Sequence, residues 1–156
     1  MDTYLSAARD LVVEGMRESQ VALSPDLEFH LASTLARYMR RPLAPDRLTI
    51  RLMDAARRRA RQGESRQIGD ECLISCAFFS ERLVRRGGSI VHYAGLGQTA
   101  YAIAGMPEMA SGFPDMLDVL QASRSNIEEQ PLVRQDEGSQ PEGEDKILIL
   151  SPRFRH

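Results

Sequence analysis

The chain has 156 residues, 42% hydrophobic and 27% charged, with a formal net charge of −2, which suits one globular domain around one hydrophobic core. Its longest uncharged run, residues 87–107, is too rich in Gly, Ser, Gln, Thr and His for a membrane span. The N-terminus lacks the basic and apolar regions of a secretion signal, so a cytoplasmic protein without membrane contact is expected. Lys146 is the lone lysine; the other 19 of the 20 basic residues are Arg, a bias that points to a GC-rich bacterial genome more than to Arg chemistry. Residues 1–126 hold 16 basic and 15 acidic groups, whereas residues 128–145 hold seven acids against Arg134. A neutral body therefore precedes an acidic tail.

Residues 3–18 place Tyr4, Leu5, Ala8, Leu11, Val12 and Met16 at helical spacing, the pattern of an amphipathic helix. Ser24-Pro25-Asp26 then reads as an N-cap, a proline at the first helical position and a first-turn acid. The helix they open runs to about Arg41 with Leu27, Leu31, Leu35, Tyr38 and Met39 inward and His30 at the margin of that face. Ala44-Pro45-Asp46 restarts a third helix to about Gln62, with Leu48, Leu52, Met53 and Ala56 on one side. Arg47, Arg51, Arg57, Arg58 and Arg61 fall on the opposite side and form the candidate interaction face. Between Arg37 and Arg66 ten Arg stand against Asp46, Asp54 and Glu64, a local net charge of +7.

Gly63 and the polar residues after it read as a loop into the central helix, 71–86. On that helix Cys72, Cys76, Phe79 and Leu83 form one stripe, Leu73, Ala77 and Val84 a neighbouring one, and Ile74 and Phe78 the far side. A helix apolar nearly all round is a buried one. Asp70 is its expected N-cap, Glu71 its first-turn acid, and Arg82, Arg85 and Arg86 crowd the last turn before Gly87-Gly88. Ser89 caps a helix at 90–105, where Tyr93, Gly97, Ala100 and Ala104 make a stripe of mostly small residues suited to close approach by 71–86. Pro107 and Pro114 bracket an irregular piece, and Met116, Leu117, Val119 and Leu120 mark a last helix to about Arg124.

The expected organisation is a single all-α domain, a five- or six-helix bundle over residues 1–126. Behind it come an acidic flexible linker at 127–146 and a docking segment at 147–156. In that segment Ile147, Leu148, Ile149 and Leu150 are the apolar part and Arg153, Phe154 and Arg155 the basic finish; such a segment docks on something or is left exposed.

The G-D-x-C-L start of the central helix, H-Y-x-x-L-G-x-x-A-Y from Tyr93 and its neighbours to Tyr101, and F-P-D-M-L-D-V-L from Phe113 to Leu120 carry a resemblance. The chain is similar over about residues 24–124 to a group of small helical bacterial proteins with G-D-x-C-L followed by Y-Y-x-x-L-G-x-x-A-Y. The resemblance implies the helical fold and, as the group has no assigned activity, no function.

Among constellations with chemistry, residues 90–100 read as a short strand followed by G-x-G-x-x-A, the dinucleotide fingerprint. No second strand with an acid at its end follows, so a small-residue packing stripe is the better account. Cys72 and Cys76 with His92 or His30 offer thiolate and imidazole ligands for a metal or haem, though at no zinc-motif spacing. Their apolar neighbours argue for plain buried thiols in a reducing compartment. Asp70 and Glu71 are accounted for by capping. G-x-S-x-G, the P-loop pattern and H-E-x-x-H are all absent. The balance favours a non-catalytic interaction or regulatory module with no cofactor or metal, whose partner is another protein or its own acidic tail. Nucleic-acid binding by the Arg face, and a small-ligand, metal or haem site around Cys72, Cys76 and His92, are the alternatives.

Overall fold

The computed structural model describes residues 3–41, 62–85, 89–124, 127–131 and 148–152. Its body is all-α. In chain order the described helices are α1 (Thr3–Ser19), α2 (Pro25–Arg40), α3 (Gln62–Phe78), α4 (Ser80–Arg85), α5 (Ile90–Ile103), α6 (Pro107–Ser111) and α7 (Phe113–Ala122). Two strands follow, β1 (Ile127–Pro131) and β2 (Leu148–Pro152), paired antiparallel with Glu129 opposite Leu150.

The start signals act as chemistry requires. Ser24 accepts a hydrogen bond from the Leu27 amide at 3.3 Å, with Pro25 in the first turn and Asp26 and Glu28 beside the positive end of the α2 dipole. Ser89 does the same for the His92 amide at 3.1 Å at the head of α5. Ser24 also donates to Glu108 Oε1 at 2.8 Å, joining the start of α2 to α6.

α3 packs most extensively on α5, α1 on α2 and α7, and α7 also on α3. Leu31, Leu35, Leu73, Ile74, Phe113 and Leu120 meet in one continuous core. Cys72, Leu73, Ile74, Cys76, Ala77 and Phe78 are all buried, so α3 is enclosed on every side from Ile68 onward, as its apolar circumference there requires. Gly97 is a point of close approach between α3 and α5. A Cβ there would lie 2.9 Å from that of Cys72 and 2.5 Å from Cε2 of Phe113, so only glycine permits the contact.

The central helix differs from the expectation in extent. It begins at Gln62, not at residue 71, so the segment read as a loop is helical and Asp70 is no N-cap. Gly63, Gly69 and a single apolar residue, Ile68, mask the helical signal; Ser65 and Ile68 are nonetheless buried, and burial outweighs about 1 kcal/mol of helix propensity per glycine. The helix also breaks at Phe79, between α3 and α4, although hydrogen bonds from Phe79 N to Ser75 O and from Leu83 N to Phe79 O carry the ladder across. The piece after Pro107, expected to be irregular, is the short helix α6. Val84, assigned inward, is exposed on α4.

At the C-terminus the expected flexible linker 127–146 opens on a strand, and the apolar part of the docking segment is its partner. β2 lies against α2 and, to a smaller extent, α1. Isoleucine, at Ile127 and Ile149, favours extended pairing, and a two-stranded ribbon needs a surface to rest on. The proposed third helix, with Arg47, Arg51, Arg57, Arg58 and Arg61, lies outside the described residues, as do Ile147, Arg153, Phe154 and Arg155.

Candidate functional site

The most concentrated polar chemistry in the described structure is buried between three helices, with Asp70 at its centre. Asp70 sits on α3 with no solvent exposure. Its Oδ1 accepts the Tyr101 hydroxyl of α5 at 2.6 Å and lies 3.2 Å from His30 Nε2 of α2. Its Oδ2 accepts Arg37 NH1 of α2 at 3.3 Å. His30 Nε2 is also 3.0 Å from the Tyr101 oxygen and 3.5 Å from Thr34 Oγ1. His30, Thr34 and Arg37 stand at i, i+4 and i+7 of α2, so one helical face supplies all three.

These distances assign the protons. The phenol has one hydrogen and gives it to Asp70 at the short distance of a charge-assisted bond. The Tyr101 oxygen is then an acceptor, so His30 Nε2 carries a proton and points it at the Tyr101 oxygen and Asp70 Oδ1 together. Burial, reinforced by the Asp70 charge, holds the Tyr101 hydroxyl far above the ordinary phenol range, so it stays a donor.

The sequence around Asp70 is shaped to let Tyr101 in. A Cβ on Gly69 would lie 2.7 Å from Cδ1 and from Cε1 of the Tyr101 ring, so glycine lets the ring lie across α3 with its hydroxyl at Asp70. His30 meets the ring edge-on at 5.4 Å between centroids, and Phe113 packs on it at 6.1 Å. The stretches G-D-x-C-L and H-Y-x-x-L-G-x-x-A-Y are thus two halves of one contact: Gly69 and Asp70 receive Tyr101, and Cys72 receives Gly97.

The cluster ties α2, α3 and α5 in one register and sets the Asp70 carboxylate against the Arg37 guanidinium. Its inner members are closed to solvent, but the Arg37 side chain is 46% exposed and reaches the surface. Arg37, Arg40 and Arg41 are all exposed at the end of α2, with the Arg40 guanidinium 5.7 Å from the ring centroid of Tyr4.

The thiols fall elsewhere. Cys72 and Cys76 are buried and unpaired with each other. Burial pushes the Cys76 thiol up to about 12, and burial with the nearby Cys76 and Glu71 raises Cys72 further. Cys76 directs its weak S–H at the Ile90 carbonyl, 4.0 Å away. His92 is exposed and rests edge-on against Tyr93, while His30 belongs to the Asp70 cluster. The proposed grouping of Cys72, Cys76 and His92 is not brought together, and among the described residues no three His, Cys, Asp or Glu could hold a metal ion. The G-x-G-x-x-A stretch lies inside α5, without the strand-to-helix turn that a dinucleotide site needs. Both thiols are expected to react with a thiol reagent at least about a hundredfold slower in native buffer than in denaturant. Labelling at equal rates would place one of them at the surface.

Sequence reasoning missed this cluster because Asp70 mimics an N-cap and His30 sits at the edge of an apolar stripe. The signal that was there is the i, i+4, i+7 spacing of His30, Thr34 and Arg37 on an otherwise inward face. No helix among the described residues is long and apolar enough to cross a membrane. No protein-family model, curated protein or solved structure matches the chain.

Proposed function

We propose that the chain is a non-catalytic protein-interaction or regulatory module of a bacterial cytoplasm, related to the small helical proteins it resembles. It recognises an acidic protein surface through the basic stretch 37–66, and its own acidic C-terminal residues compete for that stretch. The observation that carries the reading is the return of the tail: β2 lies on α2, the helix on which the basic stretch begins, and pairs with β1. Residues 132–147, with five acids against Arg134 and Lys146, are thereby tethered at both ends to the body that carries the arginines. Tethering raises the effective concentration of a weak, salt-screened contact. In support, Asp70 and Tyr101 are bonded to each other inside the fold, and both thiols are buried.

The test keeps the full chain and neutralises the acids of residues 132–147 as D136N, E137Q, E142Q, E144Q and D145N together. Binding to polyglutamate and to a DNA oligonucleotide is measured at low and high salt. Tighter polyglutamate binding by the variant, by roughly tenfold or about 1.4 kcal/mol at low salt and vanishing at high salt, is the expected result. Binding of the oligonucleotide alone would transfer the reading to nucleic acid, and no binding of either polymer would remove it.

A further inference from the structure

We infer that Arg37 and His30 are competing cations on the buried Asp70 carboxylate, so that an anionic partner drawing Arg37 outward makes His30 take up a proton. The inference rests on the proposed recognition of an acidic surface and adds a pH-dependent regulation to it.

Asp70 uses its two oxygens differently. Oδ2 faces the Arg37 guanidinium at 3.3 Å, and Oδ1 faces the Tyr101 hydroxyl and His30 Nε2–H. With His30 neutral the cluster is balanced, one carboxylate against one guanidinium. Of these groups Arg37 alone has a substantial path to water, its side chain 46% exposed against 4% for His30 and none for Asp70. Arg40, in the last turn of the same helix, and Arg41, the residue that caps it, are also exposed, so a polyanion that engages this end of α2 meets Arg37 as part of a set.

Once Arg37 turns outward, the carboxylate is left buried without a counter-charge, an arrangement that costs several kcal/mol. A second proton, taken up at His30 Nδ1, restores the balance, because Nε2–H already points at Asp70. Histidine, with an ordinary pKa of about 6.5 against about 3.9 for Asp, is the group able to do this near neutral pH. The titratable and charged groups set around the cluster by the described elements are Arg37 and Tyr38 of α2, Glu71 and Cys72 of α3 and Tyr101 of α5. Phe113, which packs on Tyr101 from α7, brings no charge. The phenol and thiol are held protonated, so neither adds charge. The sign follows: a proton is taken up on binding, so anion affinity rises as pH falls through the His30 range, by at most about tenfold per pH unit for one proton.

The experiment is a pH titration of the histidine ring protons by NMR in the full chain, with the exposed His92 as internal control. R37Q is expected to raise the His30 midpoint by about one unit, while R37K, which keeps the charge, leaves it near the wild-type value. Polyglutamate added to the wild-type chain is expected to raise it in the same direction. An unmoved His30 midpoint in R37Q, or equal shifts in R37Q and R37K, overturns the inference. Polyglutamate binding that leaves His30 unmoved also overturns it while leaving the proposed function standing. Absence of polyglutamate binding, with the R37Q shift present, overturns the partner-linked uptake through loss of the proposed function itself.

Discussion

Asp70→Ala should destabilise the fold by about 2–4 kcal/mol, the combined cost expected for a buried Tyr101 hydroxyl left without its acceptor and for the space the carboxylate vacates. Without the carboxylate, the Tyr101 hydroxyl loses the acceptor of its proton, the His30 Nε2–H keeps only the Tyr101 oxygen, and Arg37 loses its inward anchor. Asp70→Asn keeps the shape and one acceptor oxygen and should cost less, about 1–3 kcal/mol, since Arg37 can turn to water. Urea titration with an unchanged m-value gives both numbers. If both variants unfold within about 0.5 kcal/mol of the parent, the cluster does not hold the three helices together. Against a typical total stability of about 5–15 kcal/mol, the alanine change alone is a large fraction.

Phe79→Ala is expected to cost about 3–5 kcal/mol, because the side chain is buried where α3 gives way to α4 and the neighbouring Phe78 is buried as well. Two adjacent buried aromatics are compatible here because every residue from Ile68 to Phe79 is buried. Ser80→Ala, half-buried at the start of α4, and Val84→Ala, on its exposed side, serve as controls and should each change stability by no more than about 0.5 kcal/mol. Equal losses for Phe79→Ala and Val84→Ala would mean that α4 presents the opposite face to the core.

Local sequence alone determined the helical body. Periodicity and caps located α1 and α2, and Ser89 located the start of α5, because hydrophobic spacing and first-turn hydrogen bonds act within a few residues of each other. The close approach at Gly97 was legible for the same reason: a glycine costly to a helix needs a neighbour to justify it, and the apolar circumference of residues 72–79 named that neighbour. The start of α3 was not legible, because Gly63 and Gly69 speak locally for a loop and only the burial of Ser65 and Ile68 against other elements makes the segment helical. The role of Asp70 could be decided only by tertiary structure. An aspartate before an apolar helical run looks the same in sequence whether it caps a backbone amide or accepts Tyr101, 31 residues away, and Arg37, 33 residues away. The tail follows the same rule. Its charge and composition described residues 127–146 as a linker, while the pairing of Ile127–Pro131 with Leu148–Pro152, and the seat of the second strand on α2, depend on contacts between residues distant in the chain, which no local pattern encodes.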